Sequence, residues 1–159
     1  MPHALPPGER PPRADRPGHR RAAILDVLLL SAVCLVAYFT GLTDHGLTNW
    51  QESQRALVAR EMQEAGEWLV PTGNHEPYLA KPPMFYWVQL AIAELRSAET
   101  GELELRLTAA LAGLAGVFAT YWLVRRLMSA EAGSLGRPSI AREAALWSAL
   151  FLATGPLYV

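Results

Sequence analysis

The sequence predicts an all-α integral membrane protein, a multi-span helical bundle whose first extracytoplasmic loop carries two interfacial amphipathic helices. Three observations predict it. Apolar residues make up 51% of the 159-residue chain, yet they fall in long blocks instead of being spread at the spacing of a soluble core. The first two blocks reach the ~20 residues that a spanning helix needs. The polar segments between blocks alternate between arginine-rich and acid-rich, a pattern that sets the orientation of a chain in a bilayer. The total charge of −1 hides this asymmetry.

Residues 1–21 combine proline, glycine and arginine so densely that they cannot build a packed core, and they read as a disordered basic tail. Basic residues immediately before an apolar block are a topology signal, so this tail is expected to be cytoplasmic rather than an arm for nucleic acid, and no nucleic-acid partner is expected. Residues 22–42 form the first span, with Asp26 its sole charge, close to one end. A cleaved signal peptide would carry a shorter apolar core and a small-residue cleavage site. This block instead runs on to Tyr38-Phe39, so a retained helix is expected. Cys34 lies inside it as the single cysteine of the chain, which excludes an internal disulfide and a cysteine-pair zinc site and leaves a small buried apolar residue.

The segment 43–102 is rich in glutamate, holds only Arg55, Arg60, Lys81 and Arg96 as basic residues up to Gly101, and is expected outside the cell membrane. Within it, Trp50–Ala65 contains neither proline nor glycine and reads as an amphipathic helix on the membrane surface. Thr48 or Asn49 would cap its start and Gly66 its end. Pro71, Gly73-Asn74 and Pro77 mark turns, and His75 is read as a turn residue, with metal ligation the lesser alternative. Pro82-Pro83 open a second interfacial helix over about 82–95, whose Phe85, Tyr86 and Trp87 suit the headgroup layer. Residues 103–128 form the second span, with alanines and glycines placed for close helix packing and Arg125-Arg126 at its end. Residues 129–143 read as a cytoplasmic loop. Residues 144–159 start a third span that stops short, so the chain is expected to be the amino-terminal fragment of a longer multi-pass protein of the bacterial inner membrane.

Three side chains carry the candidate chemistry. Glu52 and Arg55 are three residues apart and so face one way on a helix. That spacing suits an ordinary surface ion pair, and equally a carboxylate held toward a surface cavity as a general base or metal holder. Lys81, just ahead of a helix N-terminus, is either a snorkelling anchor or a phosphate ligand.

These pieces together resemble the first extracytoplasmic loop of the family 39 glycosyltransferases, which have the GT-C fold and include protein O-mannosyltransferases and lipid A aminoarabinose transferases. The matching runs are E-x-x-R at Glu52–Arg55, A-R-E-M at Ala59–Met62, G-E-W-L-V-P at Gly66–Pro71, P-Y-L-A-K-P-P at Pro77–Pro83, F-Y-W at Phe85–Trp87 and E-L-R-L at Glu104–Leu107. The resemblance implies a transferase that moves a sugar from a polyprenyl-phosphate donor to a protein, lipid or glycan acceptor on the outer side. It implies that Glu52 is catalytic and that Lys81 and Arg55 bind the donor phosphate. The family's acidic pair reads Gln51-Glu52 here, and the acid that often precedes the lysine is Ala80. No resident cofactor is implied, and dependence on a divalent metal is left open. Expected partners are the bilayer, the lipid-linked donor and an acceptor. The alternative is a non-catalytic membrane scaffold or transporter fragment, and the chain by itself is expected to be inactive.

Overall fold

The computed structural model describes residues 17–42, 46, 49–134 and 137–155. Most of the tail 1–21, the cap candidate Thr48 and the last four residues lie outside them. The described residues are mostly helical: α1 (Pro17–Phe39), α2 (Trp50–Ala65), α3 (Met84–Arg96), α4 (Glu102–Ser134) and α5 (Pro138–Thr154), with one small ribbon of β1 (Thr72–Gly73) and β2 (Glu76–Pro77) between α2 and α3.

Two of the helices are long and apolar enough to cross a membrane, α1 over Arg21–Phe39 (19 residues) and α4 over Glu102–Ser129 (28 residues). α1 begins at Pro17, ahead of the Ala22 expected, and α4 continues through Arg125-Arg126 to Ser134. With α5 starting at Pro138, the segment expected as a loop over 129–143 is helical along most of its length.

α1, α4 and α5 pack around Leu30, Cys34, Tyr38, Val117 and Tyr121. α5 contributes Ala141, Ala145, Ala149 and Ala153, every fourth residue and all buried. Alanine at that spacing forms one smooth stripe on which neighbouring helix backbones can approach closely. The outward faces are the apolar ones: Leu25, Leu28 and Val36 of α1, Trp122 and Leu127 of α4, and Trp147 and Phe151 of α5 are all exposed. Exposed apolar surface on this scale marks a face that meets something other than water.

Near one end of this bundle, Asp26 is 2% exposed. Its carboxylate accepts from Arg142 Nε at 2.8 Å and from the Arg142 terminal nitrogen at 2.5 Å. The Tyr121 hydroxyl donates to Asp26 Oδ2 at 2.9 Å and accepts from Arg125 at 2.8 Å. The single charge of the first apolar block is thereby tied to both other helices of the bundle.

A second, smaller core lies between α2 and α3, made by Val58, Ala59, Met62, Tyr86 and Leu90. The ribbon lies against it. Gly73 makes the approach possible, since a Cβ there would stand 3.1 Å from Gln54 Nε2 and 3.2 Å from Val58 Cγ2. The expected turn at Gly73-Asn74 is a two-residue hairpin connection, with Asn74 and His75 both at positive φ (56° and 63°). Two positive φ values in a row are the signature of a type I′ turn, the geometry that matches the twist of paired strands.

Candidate functional site

α2 places the first two candidate residues. Asn49 caps the helix, its side chain accepting from the Gln51 N–H at 3.1 Å, and Gly66 ends it in the left-handed conformation. One turn of this helix separates Glu52 from Arg55, and the two side chains have different partners. Glu52 stands 3.9 Å from Arg106 of α4. Arg55 lies over the ring of Phe85 in α3, 5.4 Å from its centroid. The ion pair between Glu52 and Arg55 that the spacing suggests does not form, because each helix face meets a different neighbour across the fold.

Lys81 enters through a stretch of chain that is held at both ends. Upstream, the Tyr78 N–H donates to the Pro71 carbonyl at 2.7 Å, just beyond the ribbon. Downstream, Pro82-Pro83 lead into α3, whose first turn is closed by the Trp87 N–H on the Pro83 carbonyl at 3.0 Å. The Trp87 indole N–H also reaches the Trp68 carbonyl at 2.6 Å, tying α3 back to the chain leaving α2.

The ribbon itself is fixed by Glu61. Its carboxylate accepts from the backbone N–H of Asn74 at 2.8 Å and of His75 at 3.0 Å, the two residues of the I′ turn. Burial works against the charge, but the His75 and Asn74 N–H groups, the Thr72 side chain and the His75 ring outweigh it, and the Glu61 carboxyl is held below its ordinary range. Glu61 is therefore the anchor of the turn that precedes Lys81.

Arg55 and Lys81, contributed by separate elements, line one cavity of about 620 Å³. Its remaining walls are mainly apolar: Pro82, Met84, Phe85 and Val88 on one side, Leu111 and Ala112 of α4 on the other. Among the described residues neither cation has an ion-pair partner. Two unmatched positive charges at the edge of an apolar hollow suit a ligand with an anionic head and a hydrocarbon body.

The chain is distantly similar to two bacterial proteins named as arabinosyl transferases. It is 33% identical over 92 residues to the undecaprenyl phosphate-alpha-4-amino-4-deoxy-L-arabinose arabinosyl transferase of Shewanella sediminis, covering 58% of this chain and 16% of that protein. To the protein of the same name from Edwardsiella ictaluri it is 31% identical over 100 residues, 63% of this chain and 18% of the relative. A protein of Aquifex aeolicus with no activity in its name is 35% identical over 104 residues, 65% of this chain and 20% of its own length. The matched stretch thus spans about a fifth or less of each relative. No protein-family model and no solved structure matches the chain.

Sequence reasoning singled out Glu52, Arg55 and Lys81 but passed over Arg106. This arginine sits in the E-L-R-L run, donates to the Leu42 carbonyl at 2.8 Å, pairs with Glu102 and faces Glu52. It joins the turn that follows α1, the start of α2 and the start of α4 at one point. Its signal in the sequence is its place in that run. For His75, the turn reading describes its place, since its N–H is spent on Glu61. Among the described residues no three histidines, cysteines, aspartates or glutamates gather into a group able to hold a metal.

Proposed function

We propose that this chain is the donor-binding part of a multi-span membrane glycosyltransferase of the GT-C kind, moving a sugar from a polyprenyl-phosphate carrier to a protein, lipid or glycan acceptor. The observation that carries the reading is the cavity where Arg55 and Lys81 meet, with its apolar walls. A phosphate at the two cations would leave its polyprenyl chain running along Met84, Phe85, Leu111 and the lipid beyond. The undecaprenyl phosphate in the names of two relatives supports the same class of donor.

In this reading the acceptor hydroxyl loses its proton to Glu52, and the freed oxygen attacks the anomeric carbon of the sugar. The bond from that carbon to the phosphate oxygen breaks, and the polyprenyl phosphate leaves with the electron pair. Lys81 and Arg55 neutralise the charge that grows on the phosphate, which is an electrostatic task. Arg106 orients Glu52 from behind. The exposed apolar faces of α1, α4 and α5 would meet lipid, with the amino terminus cytoplasmic and the segment 43–102, including the surface helices α2 and α3, outside. Labelling of Glu99→Cys by a membrane-impermeant thiol reagent in intact cells reads that orientation, and protection of this site would reverse it.

The function is tested in the whole transferase of which this chain is the proposed part, with undecaprenyl-phosphate-linked aminoarabinose as donor. Lys81→Ala should weaken donor binding and lower the transfer rate by ~10²–10³. Glu52→Gln should lower transfer by a similar factor while leaving donor binding near normal. Near-normal transfer by Glu52→Gln would reduce the Glu52–Arg106 contact to a structural pair.

A further inference from the structure

Tyr86 stands apart from every other residue of the cavity wall. It lies on α3, one position after Phe85, and is 1% exposed. Its ring is part of the small core with Val58, Met62 and Leu90, and it also lines the cavity that Arg55 and Lys81 share. Yet its hydroxyl has no hydrogen-bond partner among the described residues. A buried hydroxyl without a partner is unfavourable, because it has given up water and gained nothing in exchange. Phenylalanine would fill the same space without that loss, so the core by itself gives no reason for the oxygen.

The hydroxyl lies within the electrostatic reach of Arg55 and of Tyr78. Burial raises its pKa, with Tyr78 adding to the rise and Arg55 opposing it, so the group keeps its proton at neutral pH. It is therefore a hydrogen-bond donor within reach of Arg55, in a cavity wall that Lys81 shares, and all three groups want an anionic oxygen.

We propose that the Tyr86 hydroxyl donates a hydrogen bond to the phosphate of the lipid-linked donor, completing with Arg55 and Lys81 a three-point cradle. This inference rests on the donor reading above and adds to it a residue that is neither charged nor exposed. It also explains the division of labour within the aromatic run: Phe85 stacks under Arg55, Tyr86 donates to the ligand, and Trp87 fixes the helix through Trp68.

The test compares wild type, Tyr86→Phe and Lys81→Ala in the purified protein, with undecaprenyl phosphate as the probe and thermal stability as a second reading. Tyr86→Phe should weaken binding about ten- to a hundred-fold, the effect of losing a hydrogen bond to a charged group. The ligand-free variant should melt at the wild-type temperature or above it, because an unsatisfied group has been removed. If Tyr86→Phe binds as wild type while Lys81→Ala does not, the tyrosine assignment fails and the donor reading stands. If neither substitution weakens binding, the donor reading itself fails. A ligand-free Tyr86→Phe that melts lower would make the hydroxyl a structural group and overturn the proposal. Inorganic phosphate serves as the second probe: equal affinity for it would mean that the cradle takes any phosphate, and would remove the lipid from the assignment.

Discussion

The two polar clusters of this protein treat charge in opposite ways. At the end of the three-helix bundle, Asp26 is surrounded by groups that satisfy it: two nitrogens of Arg142 and the Tyr121 hydroxyl, itself supported by Arg125. Between α2, α3 and α4, Arg55 and Lys81 share a cavity without an anion, beside a hydroxyl without a partner. Burial is unfavourable for the Asp26 carboxylate and for the Tyr86 hydroxyl alike, but only for Asp26 is the loss offset within the chain itself. The difference separates a cluster whose partners all lie within the chain from one that, in the proposed reading, a phosphate would complete. Charge alone would not have separated them, since both contain arginine beside tyrosine.

The comparison can be broken most severely at the bundle end. Asp26→Ala leaves Arg142 and Tyr121 without their common acceptor. The expected loss is about 3 kcal/mol, the low end for breaking a buried pair, because Arg142 stays partly open to its surroundings. Denaturation of the detergent-solubilised protein measures it. A variant as stable as wild type would show that the network is not structural and would undo the contrast.

A smaller effect is expected at Glu61, a matched charge on α2. Glu61→Gln weakens two charge-assisted bonds to the I′ turn and should cost about 1–3 kcal/mol. Its depressed pKa gives the effect a pH dependence of definite sign. The stabilisation is complete above the ordinary carboxylate range, because there the group is ionised both folded and unfolded. It is lost as pH falls below that range, through the lower folded-state value. Amide exchange at Asn74 and His75, followed from neutral to acid pH, should accelerate in wild type, and in Glu61→Gln it should be fast throughout.

The smallest effect sharpens the rule by its limit. Arg60 and Glu99 are matched as well, at 3.5 Å, but their side chains are 50% and 86% exposed. Arg60→Ala should change stability by less than about 0.5 kcal/mol. A larger change in the same denaturation experiment would mean that matching counts even where water screens it.

What could be read in the sequence was what neighbours along the chain decide. The limits of α2 were legible because its cap and its stop, Asn49 and Gly66, act within a few residues of their targets. The apolar blocks behind α1 and α4 were legible because hydrophobicity is a property of the block itself. The turn at Gly73-Asn74 was visible, but not the carboxylate that holds it, since Glu61 comes from a preceding helix face. The same limit hid the partner of Glu52. Helical spacing offers Arg55 as its partner, but which of several nearby cations a carboxylate meets is settled by how α4 packs against α2, and no local pattern records that. The cavity, made from three helices and a loop, was legible only as residue types that suit a phosphate.

The bond between Asp26 and Arg142 also sets a schedule. The two residues are 116 positions apart. During synthesis, at the ~5–20 residues per second typical of a ribosome, α1 emerges several seconds before the arginine that will neutralise it. Throughout that interval the helix carries a carboxylate that can stay only where water still reaches it, near the end of its apolar block. α4 and α5 are consecutive and can pair with each other as they form. α1 meets the Tyr121 hydroxyl of α4 first and Arg142 of α5 last, so a delay in making α5 would prolong the stage at which the Asp26 carboxylate lacks the arginine that matches its charge.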